Sequence, residues 1–286
     1  MLLLPLLAGV AMGQVTPPPS TSPAALKSVF SGAFASKLAA SDTTTVSISQ
    51  GGIVPVYSSS TTIQSGSWIS IYGQNLATQS ATWTGNFPEN LGGTSVTING
   101  RPAYLWFVSP GQINVQAPSD TATGTVPVVV NTPTGTAAST VTLGQFGPSF
   151  SLLDSAHVAG IIIRTDGSGT QGGGGYDILG PQGSPLGYVT VPAKAGDVIE
   201  LFGVGFGPTT PSVPAGQPYS GAAPTVDPVT ILINGTAITP AFAGLTGAGL
   251  YQFNVTIPSG LGTGDVPLLA MVGGTQTPTG VVISLQ

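Results

Sequence analysis

The chain repeats itself, and the repeat restricts the fold more than any single motif does. Gln112-Ile113-Asn114-Val115-Gln116-Ala117-Pro118 returns as Gln252-Phe253-Asn254-Val255-Thr256-Ile257-Pro258, and Gly124-Thr125-Val126-Pro127 returns as Gly264-Asp265-Val266-Pro267. Upstream, Val96-Thr97-Ile98-Asn99-Gly100 returns as Ile231-Leu232-Ile233-Asn234-Gly235, and Ser65-Gly66-Ser67-Trp68-Ile69 as Ala195-Gly196-Asp197-Val198-Ile199. The spacing widens along the chain: Gly66 to Gly196 is 130 residues, Gly100 to Gly235 is 135, and Gln112 to Gln252 is 140. Short insertions in the second copy account for that drift. Solenoid units repeat every 20–50 residues or so, so two copies this far apart predict two similar domains in tandem.

Inside each copy the hydrophobic period is two. Ile69 and Ile71 share one face of their strand, and Ile199 and Leu201 hold the same places in the second copy. Ser70 and Glu200 fall on the opposite face, which the alternation predicts to be solvated, as in antiparallel sheets with one wet side. Asn99-Gly100 and Asn234-Gly235 each stand between apolar runs, a strong hairpin signal. Composition agrees. At 41% hydrophobic and 5% charged the chain lacks the signature of disorder, while 42 Gly and 26 Pro supply turns for many short strands. The expected fold class is all-β: two tandem immunoglobulin-like sandwiches over residues 51–146 and 147–286, the second enlarged by insertions around 164–187 and 208–227.

Residues 1–13 form an apolar run closing on Ala11-Met12-Gly13, a small-x-small cleavage pattern, although no Lys or Arg precedes it. They are read as a signal peptide, too short to span a bilayer. The mature protein is accordingly expected to be secreted, or to sit at the cell surface or in the periplasm. Residues 14–50 read as a linker. Within it Ser22-Pro23 starts a short amphipathic N-terminal helix, about 23–40, with Leu26, Val29, Phe30, Phe34 and Leu38 on one stripe. No membrane span is expected elsewhere. A net charge of -5 without a basic cluster argues against nucleic acid, since neutralising phosphates needs Lys and Arg. With no cysteine there is no disulfide, thiolate or lipid-anchor chemistry.

Three stretches of the first copy carry a family resemblance: Gly66-Ser67-Trp68-Ile69-Ser70-Ile71-Tyr72-Gly73-Gln74-Asn75-Leu76-Ala77, Leu91-Gly92-Gly93-Thr94-Ser95-Val96, and Val108-Ser109-Pro110-Gly111 running into the Gln112–Pro118 repeat. In the second copy Ala195–Ile199, Gly205-Phe206-Gly207-Pro208 and Gly249-Leu250-Tyr251-Gln252-Phe253-Asn254-Val255 match the same pattern. The chain resembles the uncharacterised C-terminal module of secreted acidobacterial (Solibacter-type) proteins over nearly all of residues 50–286, and each half resembles an IPT/TIG immunoglobulin-like domain. The resemblance implies export and an immunoglobulin-like tandem, and it implies no activity. The glycine-rich stretch Gly167 to Gly175 departs from the pattern.

No catalytic residue and no metal or other cofactor is expected. His157 is the lone histidine, and a Ser-His-Asp arrangement needs both an activated serine and a buried carboxylate beside it. Asp154 is near in sequence, but no nucleophile-elbow motif occurs, so His157 reads as a strand-edge residue. Asp166 and Asp177 bracket the glycine-rich stretch; two carboxylates are too few for calcium, which takes six to eight oxygens, and a flexible surface hairpin is expected there. Gly203-Val204-Gly205-Phe206-Gly207 is followed by Pro208 and Pro211, so no helix follows to hold a pyrophosphate. The repeated Gln112/Asn114 and Gln252/Asn254 either bond a neighbouring turn or line two equivalent sites. By the alternation, Ala103, Leu105 and Phe107 face the core while Trp68, Tyr104 and Trp106 face outward. An outward aromatic group marks an interaction site: a packed contact with the second domain or the 23–40 helix is the preferred reading, and sugar stacking the other. These three are the candidate ligand-binding residues, for a glycan or a protein contact. The expected function is a non-catalytic structural, adhesive or cell-envelope module with an unknown extracellular protein or polysaccharide as partner. The alternative is a carbohydrate-binding module that uses those aromatics.

Overall fold

The computed structural model describes residues 45–286; the expected signal peptide and the 23–40 helix lie outside the described residues. Ten strands come first: β1 (Ser47–Pro55), β2 (Thr62–Gln64), β3 (Trp68–Gln74), β4 (Ala81–Thr82), β5 (Ser95–Ile98), β6 (Arg101–Pro102), β7 (Tyr104–Val108), β8 (Gln112–Gln116), β9 (Gly124–Thr132) and β10 (Gly135–Gly144). They form two five-stranded sheets, in the orders β1-β3-β8-β7-β4 and β2-β10-β9-β5-β6. Twelve more follow: β11 (Ser149–Phe150), β12 (Gly160–Ile163), β13 (Tyr176–Ile178), β14 (Val198–Val204), β15 (Ser220–Pro224), β16 (Val229–Ile233), β17 (Thr236–Ile238), β18 (Phe242–Gly247), β19 (Leu250–Thr256), β20 (Gly264–Val272), β21 (Thr275–Gln276) and β22 (Val282–Leu285). These give a seven-stranded sheet ordered β13-β12-β14-β19-β18-β15, with β11 also on β14, and a five-stranded sheet ordered β17-β16-β20-β21, with β22 also on β20. The all-β expectation of two sandwiches holds; among the described residues the only helical turn is a 3-10 turn at Gly172–Gly174.

The repeat in sequence is a repeat in register. Ile69 and Ile71 pair with Val115 and Ile113 across β3 and β8, as Ile199 and Leu201 pair with Val255 and Phe253 across β14 and β19. Even the parallel contact of β2 with β10, Ile63 opposite Leu143, returns as a single parallel bridge between Ala193 and Leu285. Both Asn-Gly pairs turn hairpins with positive φ at both residues (Asn99 52°, Gly100 73°; Asn234 49°, Gly235 78°), the backbone that a tight two-residue hairpin demands.

Each sandwich has its own core. Ile63, Ile69, Ile71, Leu105, Ile113 and Val128 are fully buried in the first, and Phe150, Ile199, Leu201, Phe206, Ile231 and Phe253 in the second or nearly so. Side chains of this size contribute about 1.5–3 kcal/mol each when removed from water. One sequence expectation fails at β7. Its register against β8 slips between Leu105, opposite Val115, and Phe107, opposite Asn114. The extra residue, a β-bulge, turns Phe107 to the outer face and puts Val108 into the core instead.

The expectation of a wet outer face also fails. Ser70 is only 3% exposed, and its hydroxyl donates to the Asn114 side-chain oxygen at 2.9 Å, with Asn114 itself buried. Something covers that face, and it is aromatic.

Candidate functional site

All three tryptophans of the chain meet on the outer face of the first sheet. The Trp68 ring stands 5.4 Å from Trp106 and 5.6 Å from Trp83, both edge-on, and Trp83 meets Phe87 edge-on at 4.6 Å. Edge-to-face pairs of this kind contribute about 0.5–1.5 kcal/mol beyond the area they bury. Val204 and Ala248 of the second sandwich are buried in the same cluster, with Tyr104 and Tyr219 packed half-buried at its margin. The cluster is therefore a small core between the two sandwiches. Trp68 is 6% exposed, and its indole N–H donates to the Ala248 carbonyl at 2.7 Å. Tyr104 and Trp106 are half-buried. Sequence reasoning missed Trp83 and Phe87, which fall where the two copies diverge; their aromatic character in a chain only 7% aromatic was the available signal.

Two glycines fit the second sandwich against these rings. A Cβ on Gly249 (φ 65°) would lie 2.8 Å from the Gly66 carbonyl oxygen and 2.9 Å from Trp68 Cδ1. One on Gly216 (φ 79°) would enter the Tyr104 ring at 2.1 Å. Amides complete the contact. Gln64 donates to the Tyr251 hydroxyl at 3.3 Å and accepts the Gly207 N–H at 2.9 Å, while Tyr251 donates to the Gly207 carbonyl. Burial pushes the Tyr251 phenol up to about 12 despite the Gln64 bond. Gln116 donates to the Gly66 carbonyl at 2.9 Å and accepts the Gly216 N–H at 3.0 Å. Ser119 accepts the Ala215 N–H at 3.0 Å. Beside this seam lies an open cleft of about 490 Å³ with walls from both sandwiches.

The repeated amides serve structure. Gln112 donates to Asn114 at 2.9 Å and Gln252 to Asn254 at 2.7 Å, each two residues along one strand face. Glu200 stands opposite Asn254, where the first sandwich has Ser70 opposite Asn114. Burial raises its carboxyl above the ordinary value against a bond from Gln252. The glycine-rich stretch is not the loose hairpin expected from its composition. Asp177 is 5% exposed; Arg164 Nε donates to it at 2.8 Å, and the Thr170 N–H and hydroxyl at 2.9 and 3.0 Å. Arg164 also reaches Asp197 through Nη1 at 2.8 Å. Asp166 accepts bonds from its neighbour Ser168.

His157 bonds its sequence neighbour Asp154 and a second partner, Asp265, that its sequence surroundings did not show. Its Nδ1 lies 2.8 Å from Asp154 Oδ2 and its Nε2 3.2 Å from Asp265 Oδ2, while Ser284 donates to the other Asp265 oxygen at 2.6 Å. A neutral imidazole has one N–H and one lone pair, so only the imidazolium satisfies both carboxylates. Burial alone would lower the His157 pKa, but the two aspartates outweigh it and raise it above 6.5. Both partners sit below the usual 3.8: Asp265 chiefly through Ser284, Asp154 because backbone and imidazole bonds outweigh its burial. A group with a raised histidine pKa stabilises fully below the unfolded value and loses that contribution as pH rises through the folded one; depressed carboxylates lose theirs in acid. His157→Gln should therefore destabilise by about 1 kcal/mol at pH 5.5, a modest figure for so exposed a trio, and by progressively less toward pH 9. Urea unfolding of both proteins across that range checks it, and a gap that grows with pH would contradict the assignment.

Residues 52–146 match the IPT/TIG domain family. No curated protein matches the chain. Among solved structures it is similar to the plexin A4 extracellular region at 11% identity and a TM-score of 0.28, covering 87% of this chain and 16% of that one. It is also similar to a Bacteroides ovatus mixed-linkage glucan utilization locus protein, SGBP-B, in complex with a mixed-linkage heptasaccharide, at 10% identity and a TM-score of 0.32, covering 79% of this chain and 43% of that one. A third is SGBP-B from a complex xyloglucan utilization locus in Bacteroides uniformis, at 14% identity and a TM-score of 0.24, covering 83% and 49% respectively. The chain thus spans less than half the length of each. Among the described residues no helix is long and apolar enough to cross a membrane.

Proposed function

We propose that this protein is an exported, non-catalytic interaction module, with two IPT/TIG-like sandwiches at residues 51–146 and 147–286 fixed as one unit that binds an extracellular protein or polysaccharide at a cell surface. The module resembles the C-terminal part of secreted acidobacterial proteins in the sequences quoted above. The observation that supports it best is the interdomain core. A chain that locks two sandwiches together through Trp68, Gln64 and Gln116 has the build of a rigid presenting scaffold. His157 supports the non-catalytic part: both its nitrogens face carboxylates, and the nearby Ser284 hydroxyl bonds Asp265 instead of the imidazole. A nucleophile needs the reverse arrangement, with its hydroxyl on the base.

Trp68, Tyr104 and Trp106 are assigned to the contact between sandwiches and not to sugar stacking. A sugar stacks on an open ring face, whereas Trp68 and Trp106 meet edge-on, Trp68 is closed over by Ala248 and Gly249, and Gly216 lies against the Tyr104 ring. Probing polysaccharide and surface-protein arrays with the mature protein, while assaying the same material for ester and glycoside hydrolysis, tests the proposal. Binding without turnover is expected; turnover on any substrate would overturn it.

A further inference from the structure

We propose that the cleft between the two sandwiches binds a short stretch of neutral oligosaccharide. The assignment rests on the non-catalytic binding function and gives it a place and a ligand class. At about 490 Å³ the cleft falls within the 300–1,000 Å³ of small-molecule sites, which favour domain interfaces and are largely preformed. Its walls are preformed here because the Gln64, Gln116 and Ser119 cross-links tie them together. A ligand entering it has few groups left to order, which lowers the cost of binding.

The lining selects the chemistry. Among the described residues Arg101 and Asp120 are its only charged side chains, and they stand 3.4 Å apart and cancel. Asp120 is further held by Asn99 at 2.8 Å and by the Ala122 N–H at 3.0 Å. An ionic ligand therefore finds no net complementary charge. The remaining polar surface comes from hydroxyls and amides: Thr121, Thr123 and Ser212 stand exposed, with Gln145 bridging to Asp227 at 3.4 Å. Such groups both donate and accept, as sugar hydroxyls do, and Pro208 and Val213 add apolar ground for the C–H faces of the rings. A peptide added as a strand needs an open sheet edge. Of the two edge strands of the β2-β10-β9-β5-β6 sheet, the cleft takes only Gln64 at the end of β2 and Arg101 of the two-residue β6, too little edge to seat an added strand.

Calorimetric titration of the mature protein with cellohexaose, xylohexaose and mannohexaose, and with hexagalacturonate as the acidic probe, tests this. An arrayed library of extended hexapeptides supplies the peptide probe. One or more of the neutral hexaoses should bind, with hexagalacturonate weaker. The double substitution Thr121→Ala, Thr123→Ala should weaken binding about tenfold, the size of two lost hydrogen bonds. Ser212→Trp should block it by filling the cleft, while Trp106→Phe leaves it unchanged. Failure of every neutral hexaose to bind, or capture of peptides in their place, would overturn the proposal. Loss on Trp106→Phe with the threonine variant silent would move the site to the aromatics, overturning the cleft while sparing the binding function. Release of shorter sugars would overturn the non-catalytic function and leave the location to be judged by the same variants.

Discussion

Trp68→Ala should destabilise the protein by about 3–5 kcal/mol, the range for truncating a buried aromatic, and should separate the unfolding of the two sandwiches. The indole fills the centre of the interdomain core, and its N–H satisfies the Ala248 carbonyl at 2.7 Å. Removing it leaves a cavity that the rigid Gly249 turn cannot collapse into, along with a carbonyl that has lost its donor. An unsatisfied buried polar group costs about 1–3 kcal/mol by itself. The two main cores are independent of this ring, so each sandwich should still fold. The expected record is one calorimetric transition in the wild type and two in the variant. Trp68→Phe restores most of the volume without the donor and should fall between. A loss below about 0.5 kcal/mol, typical of exposed positions, with a single transition retained, would remove the interface assignment. Joined to a loss of glycan binding, it would restore sugar stacking on Trp68.

The repeat made the architecture legible because strand pairing follows a period of two and the hydrophobic set is written twice. Ile69, Ile71, Ile199 and Leu201 could be placed in two cores from their spacing alone. The pattern breaks down where the backbone departs from that period. Nothing in Tyr104-Leu105-Trp106-Phe107-Val108 marks the bulge that exchanges Phe107 for Val108. Alternation also says which residues share a face, not what lies over it, so Ser70 read as wet although it is buried on the face where Trp68 meets the second sandwich. A contact of the aromatics with the second domain was among the readings open from sequence, but its partners were not legible: they sit in turns of the second sandwich, where Gly249 looks like any other turn glycine until Trp68 lies against it. His157 and Asp265 illustrate the same limit. They are 108 residues apart, and only β22, bridged to His157 at Val282 and paired with β20, brings them together.

Arg164 should prove the most expensive charged residue to remove. Its guanidinium, itself 16% exposed, joins Asp177 and Asp197, whose side chains are each 7% exposed, at 2.8 Å each. The remaining oxygens are used as well: Asp177 by Thr170, and Asp197 by the Lys194 N–H at 2.9 Å. This clasp fastens the glycine-rich insertion and β13 to the turn before β14, which explains why so glycine-rich a stretch is held. Arg164→Met removes the cation and leaves two buried carboxylates facing each other; breaking a buried pair from one side costs about 3–5 kcal/mol. Neutralising all three positions together (Arg164→Met, Asp177→Asn, Asp197→Asn) should recover much of the loss, because a buried pair replaced as a whole is often close to neutral. The pH dependence separates this from a packing defect. In the wild type, burial would raise the Asp177 carboxyl, but the Arg164 and Thr170 bonds outweigh it and hold it below 3.8. Its stabilising contribution is thus present above that value and lost as pH falls through the depressed one. In Arg164→Met, burial acts without its main counterweight, so protonation favours the folded variant. The stability gap between the two proteins should therefore narrow between pH 7 and pH 3. Urea midpoints at those two pH values measure it; a gap under 1 kcal/mol, or one unchanged by acid, would show that the clasp contributes little beyond packing.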